Sequence, residues 1–393
     1  MSQAISYVMV TPYTIAKSRT GGVIARLLSG ADLELVGAQM IAPDKAFAQD
    51  FAANLRRQNS PNDITLLADY VERNLAPSGG RKHRTLILLF QGEDPYTKLV
   101  ELCGHMHHDH TNVVDTLSGE NIRDTYADLI YSPEDPNKVT YFEPAVLTPR
   151  NQKDADEDFR LFSRFLKGQE NIIKNVVYPE QLTIEQTLVI IKPDNWTHPS
   201  AKPGTIIDMF SRTGLRIIGI KVHRFSLAQA LEFYGPVEDA LQGKLAPVYG
   251  KKAREILEHA FNIILDDAAE KSLTETVGAR YAQDQFRRIV KYMSGARPEE
   301  CAPADINKPG TVMCLILFYE GENAIKKIRD VLGPTDPLKA PGGTVRREFG
   351  SNVMENTAHA SDSPESVERE KGIVRIEENS LETIINDHLA GNR

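Results

Sequence analysis

"YVMVTP" at residues 7–12 is answered by "LVIIKP" at residues 188–193. Each is a short run of β-favouring residues that stops at a proline, which has no N–H to give a strand ladder. A loop, a glycine and an amphipathic helical pattern follow each: "GGVIARLLSG" in the first half, "PGTIIDMFSRTG" in the second. The match continues in order. "LELVGAQMIAPD" parallels "LRIIGIKVHRFS", both strand-like, with a glycine where a bulge or close packing falls. "TLILLFQGEDPYTKLVELCG" then parallels "TVMCLILFYEGENAIKKIRDVLG", the latter reading as a buried strand, a glycine-containing turn and a helix closed by Gly333.

Self-similarity in this order means two copies of one unit. Within each copy the elements run strand, helix, strand, helical region, strand, helix, with a late loop before a final helix. That order predicts an α+β fold: two tandem ferredoxin-like (βαββαβ) domains, each an antiparallel sheet with helices packed on it. The expected domains are 1–166 and 182–393, with the join in "KGQENIIKNVVYPEQ" at 167–181.

A chain of 393 residues is long enough for two cores of ordinary size. A hydrophobic fraction of 41% and a charged fraction of 25% describe a globular protein rather than a disordered or fibrous one. The net charge of -8 argues against broad nucleic-acid binding and leaves room for a local basic pocket that takes a small anion. Cys103, Cys301 and Cys314 are too few and too scattered for a disulfide framework or a Cys-rich zinc site, so a reducing, cytoplasmic setting is expected. The N-terminal stretch lacks the basic start and apolar core of a leader. No apolar run approaches the roughly 18 residues needed to span a bilayer, so no membrane partner is expected.

Near the end stands "GGTVRREFGSNVMENTAHASDSPESVERE", residues 342–370. This segment resembles the active-site stretch of nucleoside diphosphate kinases, an Asn-x-x-His-small-Ser-Asp-Ser run followed by a Glu-rich helix. The resemblance covers most of residues 184–377 and includes "IIKPD", "GENAIKKIRDVLG" and "TDP". It implies transfer of the γ-phosphate of ATP or another nucleoside triphosphate to a nucleoside diphosphate through a phosphohistidine, with Mg²⁺ accompanying the nucleotide. His359 is then the nucleophile, with Glu370 and Ser361 behind it. Arg329 and Thr335 match the residues that hold the distal phosphates, Arg346 the transferred one, and Lys192 with Asn356 the sugar hydroxyl and phosphate. Tyr234 matches the tyrosine beside the histidine, Phe286 or Gln285 the phenylalanine against the base, and Val353 belongs to the nucleotide-binding set. A homo-oligomer is also implied.

The residue types suit that chemistry on their own terms. A neutral imidazole nitrogen accepts a phosphoryl group and passes it on, provided the partner nitrogen is held as a donor, which a carboxylate on the next helix can do. A polyphosphate needs fixed cations around the transferred group, and these outweigh acid–base chemistry. Mg²⁺ held by phosphate oxygens and water needs no carboxylate cage. "SPES" reads as a helix start, with Ser363 as N-cap and Pro364 in the first turn.

Departures from the family pattern are equally plain. Ala360 stands where the family has glycine, and residues 235–285 intervene between Tyr234, expected to end the helix "SLAQALEFYG", and Phe286. This insert reads largely helical through "KKAREILEHAFNIILDD". A second insert, "ARPEECAPADINKPG", precedes the next strand. In the first copy Thr11 replaces Lys192, Val100 replaces Arg329, and the histidine falls near Leu147; only Arg123 keeps its counterpart, Arg346. That copy is expected to be a structural, regulatory or dimer-mimicking partner.

Two competing functions remain. "CGHMHHDHT", residues 103–111, carries an H-x-H-x-D-H pattern resembling the metal-ligand motif of metallo-β-lactamase-type hydrolases, with His105, His107, Asp109 and His110 as ligands. Such motifs need a strand to deliver them and further ligands downstream. Here they follow a helix, and no later histidine lies in that half. The other competitor is a catalytically weak kinase-like scaffold or regulatory nucleotide-binding protein, against which the intact charge set of the second copy argues.

Overall fold

The computed structural model describes residues 3–58, 63–104, 121–135, 138–174, 176–178 and 182–391. The first copy runs β1 (Ala4–Val10), α1 (Pro12–Ala16), α2 (Thr20–Gly30), β2 (Glu34–Ile41), α3 (Lys45–Arg57), α4 (Asp63–Asn74), β3 (Thr85–Gly92), α5 (Pro95–Cys103), α6 (Ile122–Tyr126), β4 (Asp128–Tyr131), β5 (Val139–Glu143), β6 (Val146–Leu147) and α7 (Gln152–Leu166). The second runs β7 (Ile184–Ile191), α8 (Lys202–Ser211), β8 (Arg216–His223), α9 (Leu227–Phe261), α10 (Asp267–Leu273), α11 (Ala279–Ser294), β9 (Cys314–Glu322), α12 (Ala324–Leu332), α13 (Val345–Phe349), β10 (Ala358–Ala360), α14 (Pro364–Val374) and α15 (Ser380–Leu389).

The two main sheets have one topology. Strand order is β2-β3-β1-β6 in the first and β10-β7-β9-β8 in the second, the same arrangement with the list reversed. β1 pairs antiparallel with β3 and β6, and β7 with β9 and β10. This bears out the α+β, ferredoxin-like expectation, with β6 and β10 as the short fourth strands. The expected bulge is real: the β2–β3 register shifts between Leu35 and Gly37. The β4–β5 hairpin is an addition of the first copy that periodicity did not signal.

Two compact units divide the chain, one of Met1–Val222, Leu315–Glu368 and Arg375–Arg393, the other of His223–Cys314 with Arg369–Val374. In the first unit, β1 and β3 of the N-terminal sheet are covered by α3, α4 and α7. Tyr7, Phe47, Phe51, Phe159 and Phe162 form its aromatic centre, with Tyr7 and Phe162 ring centroids 4.9 Å apart. Large side chains buried in this way contribute about 1.5–3 kcal/mol each. The last helix also serves this core. Leu381, Ile384 and Ile385 of α15 lie in the same cluster, while Ser163 Oγ donates to Asn386 Oδ1 at 2.6 Å and Asn379 Nδ2 to Leu166 O at 2.8 Å.

The copies also meet helix to helix through α2 and α8. A Cβ on Gly204 would fall 2.3 Å from Gly21 O and one on Gly21 would fall 2.4 Å from Gly204 O, so only glycine allows the approach from either side. α2 has no side-chain cap of its own. Asp208 of α8 supplies it, accepting the N–H groups of Gly21 and Gly22. The joining segment is likewise tied down, with Ile173 N–H donating to Ile218 O at 2.8 Å and Asn171 Nδ2 to Ile220 O at 2.9 Å.

The second unit is helical. Ser226 starts α9 with a capping box shared with Gln229. The helix does not stop at Tyr234, as "EFYG" suggested; it runs on through Pro236 and Pro247. A proline inside a helix leaves the carbonyl four residues back without its N–H. For Pro236 that carbonyl is Glu232 O, and Arg369 donates to it at 3.4 Å and to Phe233 O at 3.1 Å. α9 ends at Phe261 with Asn262 as its left-handed C-cap, so residues 262–266 are not helical, and α10 begins at Asp267 with Asp266 as N-cap. Tyr249 and Tyr281 stack at 3.5 Å and share a 2.8 Å hydrogen bond, closing α9 on α11.

Candidate active site

Lys192 follows β7 directly, and its N–H donates to Thr357 O at 2.9 Å. The ammonium, in a residue only 8% exposed, donates to Asn356 Oδ1 at 2.7 Å and to Met354 O at 3.3 Å. Asn356 Nδ2 donates in turn to Thr335 O at 3.0 Å and Val353 O at 2.8 Å. One amide thus connects the lysine to the loop beyond α12. Thr357 sits at φ 69°, a region a β-branched residue rarely enters. Its carbonyl is fixed there by Lys192 N–H and by Asn195 Nδ2 at 2.8 Å. The strained residue turns the chain into β10, where His359 pairs with Ile190. His359 is therefore on a short strand at the sheet edge rather than in a loop, half exposed between buried Ala358 and Ala360. Ser361 is fully buried, its N–H donating to Leu188 O at 3.1 Å.

Arg329 is exposed in the last turn of α12, and Thr335 and Val353 are exposed too. Asp362 reports what Arg329 faces. Its carboxyl is held below the usual range first by Ser366 Oγ, which donates at 2.7 Å, and then by the charges of Arg329 and His359. Arginine and histidine thus act on one carboxylate. Arg346 is spent differently: Nη1 donates to Gly333 O at 3.0 Å and Nη2 to Ala358 O at 2.9 Å. Its guanidinium holds the Gly333 turn against the histidine strand.

Tyr234, Phe286 and Glu370 belong to the second compact unit. Tyr234 is 8% exposed, with its ring 5.1 Å from that of Phe233. Phe286 is 4% exposed on α11, buried rather than displayed as a base-stacking ring has to be. Glu370 is 3% exposed and accepts from Arg369 at 3.4 Å. The helix that carries it starts as expected, Ser363 Oγ accepting Ser366 N–H at 3.1 Å and Pro364 opening the first turn. Asn195 and Asp362 are additions to the candidate set; Asp362 stood in the Ser-Asp-Ser run without a role of its own, and nothing in the sequence singled out Asn195. His105, His107, Asp109 and His110 lie outside the described residues.

The family described as nucleoside diphosphate kinase matches residues 302–379. A protein named nucleoside diphosphate kinase from Bdellovibrio bacteriovorus is 32% identical over 189 residues, covering 48% of this chain and 91% of the relative. The chain belongs to the nucleoside diphosphate kinase family. A second relative of that name, from Beijerinckia indica, is 38% identical over 126 residues, covering 28% of this chain and 87% of its own length. The Aquifex aeolicus nucleoside diphosphate kinase crystal structure is similar at 26% identity, covering 51% of this chain and 99% of that one with a TM-score of 0.32.

The first copy of this nucleoside diphosphate kinase fold repeats the backbone with other side chains. Leu147 pairs with Met9 as His359 pairs with Ile190. Thr11 N–H donates to Ala145 O at 3.1 Å, and Ala145, like Thr357, has positive φ. Gly104 N–H closes on Val100 O as Gly333 N–H closes on Arg329 O. Arg123 donates to Gly104 O and Val146 O, the same two carbonyls that Arg346 holds in the other copy. Where Lys192 stands, however, Thr11 Oγ1 donates to Glu143 Oε1 at 2.7 Å, and Tyr70 OH donates to Glu143 Oε2 at 2.7 Å. Burial holds the Glu143 carboxyl above its ordinary range against the pull of those two hydroxyls. At the lysine's position the first copy thus carries a buried hydroxyl–carboxyl network in place of an ammonium.

Proposed function

We propose that the second copy is the catalytic one and works through phospho-His359, with the domains as 1–166 and 182–393. The observation that carries this is the His359 strand itself: a half-exposed imidazole at the sheet edge, with Arg329 acting on the adjoining Asp362 and Lys192 locked by Asn356 beside the same turn. A neutral ring nitrogen of His359 attacks the γ-phosphorus. The N–P bond forms as the bond to the bridging oxygen breaks, and the nucleoside diphosphate leaves with that electron pair. A second nucleoside diphosphate then takes the phosphoryl group by the reverse displacement.

Lys192 and Arg329 supply the fixed positive charge, with Thr335, Val353 and Asn356 lining the approach and Ser361 behind the histidine; the family resemblance assigns Tyr234 and Glu370 to the same set, and buried Phe286 is left out of it. Arg346 acts by holding the Gly333 turn to Ala358. Mg²⁺ enters as part of the nucleotide substrate, neutralising phosphate charge, and its donors are phosphate oxygens and water. Three free thiols support a reducing, cytoplasmic setting, and the helix contact through Gly21 and Gly204 supports a fused pair that supplies one assembly contact of a homo-oligomer within the chain. No described helix is long and apolar enough to cross a membrane.

The test is initial-rate kinetics with varied ATP and varied nucleoside diphosphate. A covalent relay gives parallel double-reciprocal lines; intersecting lines would mean direct transfer and defeat the phosphohistidine route.

A further inference from the structure

A cleft of about 430 Å³ is lined by α1, the segment before β3, the joining segment and the start of β8. Its charged side chains are all basic or titratable to a cation: Arg81, Lys82, His83, Arg84 and Arg216. In a chain of net charge -8 this is not background. None of the candidate active-site residues lines it. The apolar part of its wall comes from Ile15, Ile173, Val177 and Leu215.

The two arginines are aimed by the backbone. Arg84 Nη1 donates to Ile217 O at 2.8 Å, and Arg216 Nη1 to Val177 O at 2.7 Å, with the Arg216 guanidinium 4.3 Å from the centre of the Tyr178 ring. Each therefore spends one N–H of its five on a fixed carbonyl. Among the described residues, none of the five basic groups is in an ion pair. Burial and then the neighbouring Arg216 charge lower Arg84 to about 10, with Tyr178 and Glu320 opposing this less. Two like charges held side by side in a partly buried cleft are relieved by an anion.

The repeat provides an internal control. β8 opens with Arg216 where β2 opens with Glu34, and Arg84 precedes β3 where Met313 precedes β9. The basic set is thus specific to one place in the molecule rather than inherited from the shared fold.

We propose that this cleft binds a small phosphate-bearing anion, separately from the site around His359. The guanidinium pair takes the phosphate bidentately, as planar donors do. Lys82 and Arg81 close the charge from the rim, and the apolar wall accommodates a non-phosphate portion.

The experiment uses the full chain carrying Lys192→Gln and Arg329→Gln, which weakens the phosphate-binding cations around His359, and measures pyrophosphate binding by calorimetry. Saturable binding is expected to persist there. Adding Arg84→Gln with Arg216→Gln weakens it about tenfold or more, because each charge-assisted hydrogen bond is worth more than a neutral one. Arg81→Gln with Lys82→Gln, exposed changes that spare the fold, weakens it in the same direction. Competition by ADP marks the natural ligand as a nucleotide, and lack of competition marks it as an inorganic phosphate. No pyrophosphate binding in the starting variant, or binding unchanged in both further variants, would overturn the proposal.

Discussion

Arg329 lies exposed at the end of α12, whereas Arg346 is 9% exposed and committed to two backbone carbonyls. The first can meet a phosphate; the second holds the turn that lets it. Arg329→Gln is expected to lower kcat/KM by about 10²–10³, the cost of removing one fixed donor from a transferred charge, without shifting the unfolding midpoint. A loss of stability with full activity would reverse the assignment. The residue scale was also the most legible in the sequence, because Asn356, His359, Ser361 and Ser363 are near neighbours in one continuous run. Duties that depend on distant partners were not legible. That Arg346 bridges Gly333 and Ala358, or that Asn195 holds the carbonyl of strained Thr357, is written only in the fold.

At the scale of elements, α7 packs Asp158 fully buried against β1, where Tyr7 OH donates to Oδ2 at 2.8 Å and Asn54 Nδ2 to Oδ1 at 3.0 Å. Burial pushes its carboxyl from 3.8 to about 7, overcoming those two bonds. A group with a raised folded pKa stabilises most below its unfolded value and loses that contribution as pH rises through the folded one. Stability from Asp158 therefore declines between about pH 4 and 7, by about 4 kcal/mol at the upper limit. Asp158→Asn is expected to flatten this part of a urea-unfolding pH series and to raise stability at pH 8; an unchanged slope would show that the carboxyl is not the source. An Asp inside an otherwise amphipathic helix gave no such warning in the sequence. The order of elements along the chain, by contrast, was readable from repeated patterns beginning with the strands that stop at Pro12 and Pro193, while the continuation of α9 past Pro236 was not, since Arg369 donates to the Glu232 carbonyl from far along the chain.

Over the whole molecule, two copies of one backbone carry different groups at the same point: the Lys192 ammonium in one, the Thr11–Glu143–Tyr70 network in the other. The first copy keeps its place through α15 in its core and α2 against α8, contacts that no local pattern announces because their partners are far apart in the chain. Restoring a histidine there should not restore chemistry. In the His359→Ala chain, Leu147→His is expected to take no phosphate from ATP, because neither lysine nor exposed arginine accompanies it; labelling of that variant would mean that the imidazole alone suffices. The central claim is tested most directly by incubating the full chain with γ-labelled ATP and Mg²⁺ and following label on the protein. The account predicts an acid-labile, base-stable phosphoenzyme that a nucleoside diphosphate discharges and that His359→Ala abolishes. Label retained in His359→Ala, or none in the unaltered chain, would contradict it.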